Sequence, residues 1–344
     1  MSNDLLPGMV VSDRYRIRTV IGAGSFGLVY AAVDVEQQRD VALKTLLPQV
    51  RLDAELLRRF EREAEICGML KHPNTAAVLG GGHWFTPGRQ MLPYLVFELV
   101  RGVPLSRILA VRQRLSLEEA ASVVRQVLES LTEAHGLSII HRDLKPDNIL
   151  VVAPEHALRP QEDTGTLGMR LGVPEETDPV WSDLSTLPVK VLDFGLGKFV
   201  ASRAGQVEAL TRAGFALGSA PYMSPEQARG ELELDHRADI YSVSMLLHRL
   251  LVGNDAYQGD NPVDIVAMQA REPLPALPEP WASHPIAAVY RKAGSKKTLG
   301  RYDSAAEMER ALLAALSPGA TATPPQATGG GAAGLFARIF GRRR

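Results

Sequence analysis

The sequence has 344 residues, 45% of them hydrophobic and 22% charged, with a formal net charge of −1. A chain of this kind can bury a sizeable core, and it has no global field that favours nucleic acid or an anionic membrane. Its one cysteine, Cys67, excludes an intrachain disulfide framework and a Cys-based zinc site and fits a reducing, cytoplasmic setting.

No run approaches the ~18 consecutive apolar residues of a membrane span. The opening MSNDLLPGMVVSDRYR lacks the basic start and apolar core of a signal peptide. Residues 14–47 alternate as strands do: YRIRTVI, a glycine-rich turn, FGLVYAAVDV and RDVALKTLL. Residues 53–71 are predicted to form an amphipathic helix, because Leu56, Leu57, Phe60, Ala64, Cys67 and Leu70 recur at helical spacing. HPN at 72–74 ends it, and VLGGGHWF and PYLVFELV read as two further strands. From 104 the pattern turns helical, in PLSRILAVR and then LEEAASVVRQVLESLTEAHG. Residues 153–188 hold many turn formers and seven acidic residues against two arginines, and a solvent-exposed loop is expected there. Residues 317–334 carry no charge and read as a flexible linker. The segment 335–344 sets apolar residues beside four arginines.

Gly22, Gly24 and Gly27 form a GxGxxG motif between two strands, where bare backbone can approach a phosphate closely. In dinucleotide-binding folds this motif opens a helix, whereas here it opens a strand. A plain glycine-containing hairpin remains the alternative at this point. Lys44 lies in the apolar strand segment Val41-Ala42-Leu43-Lys44, where a buried ammonium needs a partner. Glu63, on the predicted helix, could be that partner and aim the ammonium at phosphate oxygens.

The run His141-Arg142-Asp143-Leu144-Lys145-Pro146-Asp147-Asn148 lies in a loop between short strands. Asp143 can accept or orient a hydroxyl proton, Lys145 can neutralise a transferring phosphoryl group, and Asn148 offers a hard oxygen for Mg²⁺. The strand Val189-Lys190-Val191-Leu192 leads into Asp193-Phe194-Gly195, whose aspartate is a second candidate ligand for magnesium.

In this order and setting the motifs resemble those of the Hanks-type (eukaryotic-like) protein kinases, most of all the bacterial serine/threonine branch. The resemblance covers about residues 12–315 and implies an α+β, bilobal kinase fold. An N-lobe of about 12–100 would hold a five-stranded antiparallel sheet and one helix. A mainly helical C-lobe of about 101–315 would follow, with ATP in the cleft between. The resemblance further implies that Gly22, Gly24 and Gly27 cover the ATP phosphates, that Ile21 also belongs to the ATP site, and that Lys44 meets the α- and β-phosphates with Glu63 holding it. Asp143 would be the catalytic base with Lys145 beside it, and Asn148 and Asp193 would hold Mg²⁺. Phe97 falls at the gatekeeper position. The backbone of Glu98 and Val100 would meet adenine, and Val29, Ala42 and Leu150 would sandwich it, although core packing also explains those three.

Ser219 would place its hydroxyl near Asp143 and Lys145, and Glu226 would pair with Arg301. Asp239 would brace the 141–148 backbone, and Ser244 stands where the family has glycine. Arg142 resembles the arginine through which activation-segment phosphorylation acts, with Thr211 the first candidate site and Ser202 the second. The implied activity is Ser/Thr phosphorylation of proteins, with a dimer allowed for autophosphorylation; a pseudokinase scaffold is the alternative. Two departures stand out: about 30 extra residues between Asp143 and Asp193, and the tail 335–344, expected to be solvated rather than resting on lipid.

Overall fold

The computed structural model describes residues 5–24, 27–46, 64–86, 91–158, 175, 177–194, 216–231 and 233–317. The chain begins with β1 (Val10–Val11), β2 (Tyr15–Gly24), β3 (Gly27–Asp34), β4 (Arg39–Leu46), β5 (Val78–Phe85) and β6 (Met91–Glu98). They form one antiparallel sheet in the order β1-β2-β3-β4-β6-β5. Strand alternation sends Tyr30, Ala32, Val41, Leu43 and Val96 to one face, where they form a core with Leu5, Val11 and Ile17. The sheet therefore has one strand more than expected, and it starts before residue 12. Val10-Val11 is too short to show alternation, yet Val11 is fully buried. Residues 64–67 are helical; Glu63 and the rest of the expected helix lie outside the described residues.

The second part of the chain is mainly helical. It contains α1 (Leu105–Arg112), α2 (Leu117–Gly136), α3 (Pro225–Ala228), α4 (Arg237–Val252), α5 (Pro262–Arg271), α6 (Ile286–Ala293) and α7 (Ala305–Leu316). A capping box starts α2: Ser116 accepts from the Glu119 N–H, and the Glu119 carboxylate accepts from the Ser116 N–H. Val123, Val124, Val127, Leu128 and Leu131 of α2 are fully buried against α4, α7 and the residues around them. This core is separate from that of the sheet, as a bilobal α+β fold requires, and it runs on to Ala315.

A small sheet, β7 (Gly102–Pro104), β8 (Ile149–Val152) and β9 (Val189–Val191), belongs to this part. β7 carries no alternation by which to expect it, with one valine between glycine and proline. The Thr75↔Val191 bridge ties β9 to the chain just before β5. Among the described residues no helix is long and apolar enough to cross a membrane.

The expected exposed loop 153–188 needs correction at its end. Residues 159–174 and 176 lie outside the described residues, but Trp181, Leu184 and Leu187 are buried in the helical core. Side chains of α1 and α2 satisfy the backbone there. Arg112 donates to the Trp181 carbonyl, Glu119 accepts from the Leu184 N–H, Ser122 donates to Ser185 and Gln126 to Leu187. Burial pushes the Glu119 carboxyl up, but Arg112 and the backbone donors more than offset this and leave it below its ordinary value. Apart from one 3-10 turn at Pro179–Trp181 the segment is irregular, and side chains take up backbone groups that no ladder satisfies.

Ser244, where the family has glycine, is fully buried and donates to the Tyr241 carbonyl at 2.7 Å. Gly294 packs close to it. A Cβ on Gly294 would come within 2.6 Å of Leu274 and 3.0 Å of the Ser244 hydroxyl, so a side chain there would crowd both.

Candidate active site

The GxGxxG hairpin is built by β2 and β3, which pair as far as Gly24↔Gly27; Ser25 and Phe26 lie outside the described residues. Gly22 lies opposite Val29, and Val29 lies opposite Lys44 on β4. Ile21, Gly22 and Val29 are half-buried. Pleating turns Val29, Ala42 and Lys44 away from the sheet core. Ala42 is buried, and Val29 and Leu150 are half-buried. Leu150 comes from β8, opposite Pro104 and Lys190.

Lys44 is buried, and its Nζ lies 2.7 Å from Asp193 Oδ2. The backbone of Asp193 is left-handed, with φ 58°. The expected Lys44–Glu63 pair falls outside the described residues. Phe97 lies opposite Ala42 and closes the rear of the site. Behind it, Cys67, Val78, Asp193 and Phe194 help enclose a void of only about 10 Å³. Glu98 anchors the strand end: its N–H donates to the Ala77 carbonyl, and its carboxylate accepts from the Ala77 N–H and from Lys190 Nζ. Val100 follows, half-buried.

The 141–148 loop is held from below by Asp239, in the first turn of α4. Its carboxylate accepts from the N–H groups of His141 at 2.8 Å and Arg142 at 2.9 Å, and from His135 Nε2 at 2.8 Å. Arg142 sits at φ 68°, a conformation these bonds over-determine. Asp239 is fully buried, which pushes its carboxyl up; the His135 bond and the loop donors more than offset this, so the group stays below its ordinary value.

On this loop Lys145 Nζ lies 2.9 and 3.1 Å from the two oxygens of Asp143 and donates to Ser219 Oγ at 2.7 Å. Asn148 donates its Nδ2 to the Asp143 carbonyl at 2.7 Å and to Oδ2 at 3.1 Å. The Lys145 ammonium thus joins Asp143 to Ser219, 74 positions beyond Lys145 itself. Among the described residues no group of three His, Cys, Asp or Glu could hold a metal by itself.

Sequence reasoning missed the packing that joins these pieces. His141 is buried, donates from Nε2 to the Leu192 carbonyl at 2.7 Å, and meets the Phe194 ring edge-on at 4.8 Å. Cys67 donates from Sγ to the Phe194 carbonyl at 3.1 Å. Gln227 of α3 donates to the Arg142 carbonyl at 2.7 Å. His141 and Phe194 lie inside the recognised motifs, but nothing in either motif says that they touch.

Glu226 of α3 meets Arg301 in a buried two-pronged pair at 2.6 and 2.7 Å, and Arg301 also donates to the Arg237 and Ser295 carbonyls. Burial pushes the Glu226 carboxyl up, and the guanidinium more than offsets this, leaving it below its ordinary value. Both Glu226 and Asp239 are thus depressed on folding. The stability they contribute is present above the unfolded carboxylate value of ~4 and is lost as pH falls through the lower folded values. A melting temperature that is flat near neutrality and falls below about pH 4 is expected; one that stays flat to about pH 3 would contradict the assignment. Thr211 and Ser202 lie outside the described residues.

The protein kinase domain family model matches residues 15–284. Serine/threonine-protein kinase PknB of Mycobacterium tuberculosis (strain ATCC 25618 / H37Rv) is 34% identical over 309 residues, covering 88% of this chain and 43% of that protein. Serine/threonine-protein kinase pkn3 of Myxococcus xanthus is 33% identical over 311 residues, covering 89% of this chain and 51% of that protein. The chain thus spans about half the length of these relatives. The crystal structure of the Mycobacterium tuberculosis PknI kinase domain superimposes with a TM-score of 0.63 at 21% identity, covering 91% of this chain and 99% of that one. The family match takes in β2 to β9 and the loop that joins Asp143 to Asn148, and the chain belongs to the protein kinase domain family, in its Hanks-type bacterial serine/threonine branch.

Proposed function

We propose that this chain transfers the γ-phosphoryl group of ATP to serine and threonine hydroxyls of proteins, with Mg²⁺ as its metal. The observation that carries the reading is the Asp143–Lys145–Ser219 constellation, a carboxylate and an ammonium fixed together beside an incoming segment that bears a hydroxyl. Asp143 orients the substrate hydroxyl and takes its proton as the oxygen bonds to the γ-phosphorus. The bond from that phosphorus to the β–γ bridging oxygen breaks, and ADP leaves. Lys145 offsets charge on the transferring group, and Lys44 offsets charge on the phosphates behind it. Gly22, Gly24 and Gly27 cover the phosphates. Glu98 and Val100 offer backbone groups to adenine between Val29, Ala42 and Leu150.

The donor set fits magnesium. Asn148 has Nδ2 committed to Asp143, and Lys44 takes Oδ2 of Asp193, which leaves one hard oxygen on each residue. Bound there, the ion would neutralise charge on the β- and γ-phosphates. Arg142, next to Asp143, is the group we read as receiving a phosphate on the activation segment, with Thr211 the first candidate.

Purified chain incubated with labelled ATP and Mg²⁺ is expected to label itself or a generic protein substrate on serine and threonine. Label on Thr211 would support control through Arg142. Nucleotide binding with no transfer to any substrate would favour the scaffold reading instead.

A further inference from the structure

Gln269 of α5 is fully buried, although its helix otherwise packs through apolar Val266 and Ile265. A buried amide is tolerated only when its polar atoms are taken up. Its Nε2 donates to the Pro221 carbonyl at 2.7 Å and more weakly to the Ala220 carbonyl at 3.5 Å, and its Oε1 accepts from the Tyr241 hydroxyl of α4. Ser242, the next residue of α4, donates from Oγ to the Tyr222 carbonyl at 2.8 Å. Side chains of α4 and α5 thus grip all three carbonyls of the turn Ala220–Tyr222. This turn directly follows Ser219, whose hydroxyl Lys145 holds beside Asp143. A substrate hydroxyl that reaches Asp143 brings its own chain past the same turn.

Lys296, between α6 and α7, fixes Gln269 from the far side. Its Nζ donates to the Tyr241 hydroxyl at 2.9 Å and to the Gln269 carbonyl at 2.8 Å, and it lies 4.5 Å from the centre of the Tyr257 ring. An ammonium only donates. The Tyr241 oxygen therefore accepts from Lys296 and sends its own proton to Gln269 Oε1, which leaves Nε2 facing the Pro221 carbonyl. We propose that Gln269 is a positioning residue for phosphotransfer, holding the turn Ala220–Tyr222 against which a protein substrate lies, and that Lys296 sets the direction of its hydrogen bonds. This role rests on the phosphotransfer proposed above. Burial, then Arg301 and Arg229, pull the Lys296 pKa down to about 8, against the opposing pull of Glu272 and Glu226. Arginine keeps its charge throughout this range, and burial pushes the Tyr241 and Tyr257 hydroxyls above their ordinary values. Once neutral, the amine can accept from Tyr241, and Gln269 Oε1 then loses its donor.

The full-length chain tests this in two ways. Gln269→Leu is expected to speed amide exchange at 219–223 about fivefold or more, as the loss of a buried hydrogen bond does, with α2 unchanged. With casein as the probe substrate, the same variant should show a raised KM for casein and an unchanged affinity for ATP. The parent's KM for casein should rise as pH passes about 8, and that of Lys296→Arg, which stays charged, should not. Unchanged exchange at 219–223 would overturn the inference. So would exchange that quickens equally in α2, which would mark Gln269 as a general stabiliser, or an alkaline rise in KM that survives Lys296→Arg. A parent that binds ATP and transfers no phosphate would refute the phosphotransfer reading instead, and exchange alone would then decide whether Gln269 holds the turn.

Discussion

Asp143→Asn is expected to lower the rate of phosphotransfer by roughly two to four orders of magnitude, the usual contribution of a positioned acid–base group. The substitution keeps the shape of the side chain and the Asn148 bond to the Asp143 carbonyl. It removes the carboxylate to which proton acceptance is assigned above and leaves Lys145 bonded chiefly to Ser219. The loss should appear in kcat, because nucleotide is held by other residues. Steady-state kinetics with a protein substrate, beside a melting curve showing an intact fold, would check this. An activity within tenfold of the parent would remove Asp143 from the role assigned to it.

Glu226→Ala is expected to have the largest effect on stability. It leaves the Arg301 guanidinium, which is fully buried, without its carboxylate. Breaking a buried pair in this way costs about 3–5 kcal/mol. For a domain of this size that corresponds to a fall in Tm on the order of 10 °C. The effect should reach the cleft, because Gln227 on the same short helix bonds the Arg142 carbonyl, next to Asp143. Replacing both partners by methionine should cost less than removing one, since no charge is then left buried. Calorimetry of the single and double variants would decide it; a single variant melting within about 2 °C of the parent would refute the argument.

What could be read from sequence follows from where each piece of chemistry is encoded. The 141–148 run holds an acid, a base and an amide within six residues, so its meaning is local and survives without a structure. Lys44 is legible as a problem, a cation in an apolar strand, but its contact with Asp193 spans 149 positions and no pattern announces it. Glu226 and Arg301 were paired through family likeness alone. Trp181 was hidden for a different reason. Its segment is one 3-10 turn braced by Arg112, Glu119 and Gln126, too short for a hydrophobic period to show. Lys190, which grips Glu98, reads in sequence as one more strand lysine.

The long connection between Asp143 and Asp193 leaves and rejoins the fold at neighbouring points. Val151 pairs with Val189, and the Val152 N–H donates to the Pro188 carbonyl at 2.8 Å, so the β8–β9 ladder closes the excursion at its root. Its length is therefore a variable that the cleft does not sense: doubling such a loop costs only about 0.6 kcal/mol in closure entropy. This makes the connection a natural port for grafting. A foreign peptide or a small domain could be spliced between Arg159 and Pro174 without altering the spacing of Asp143, Asn148 and Asp193.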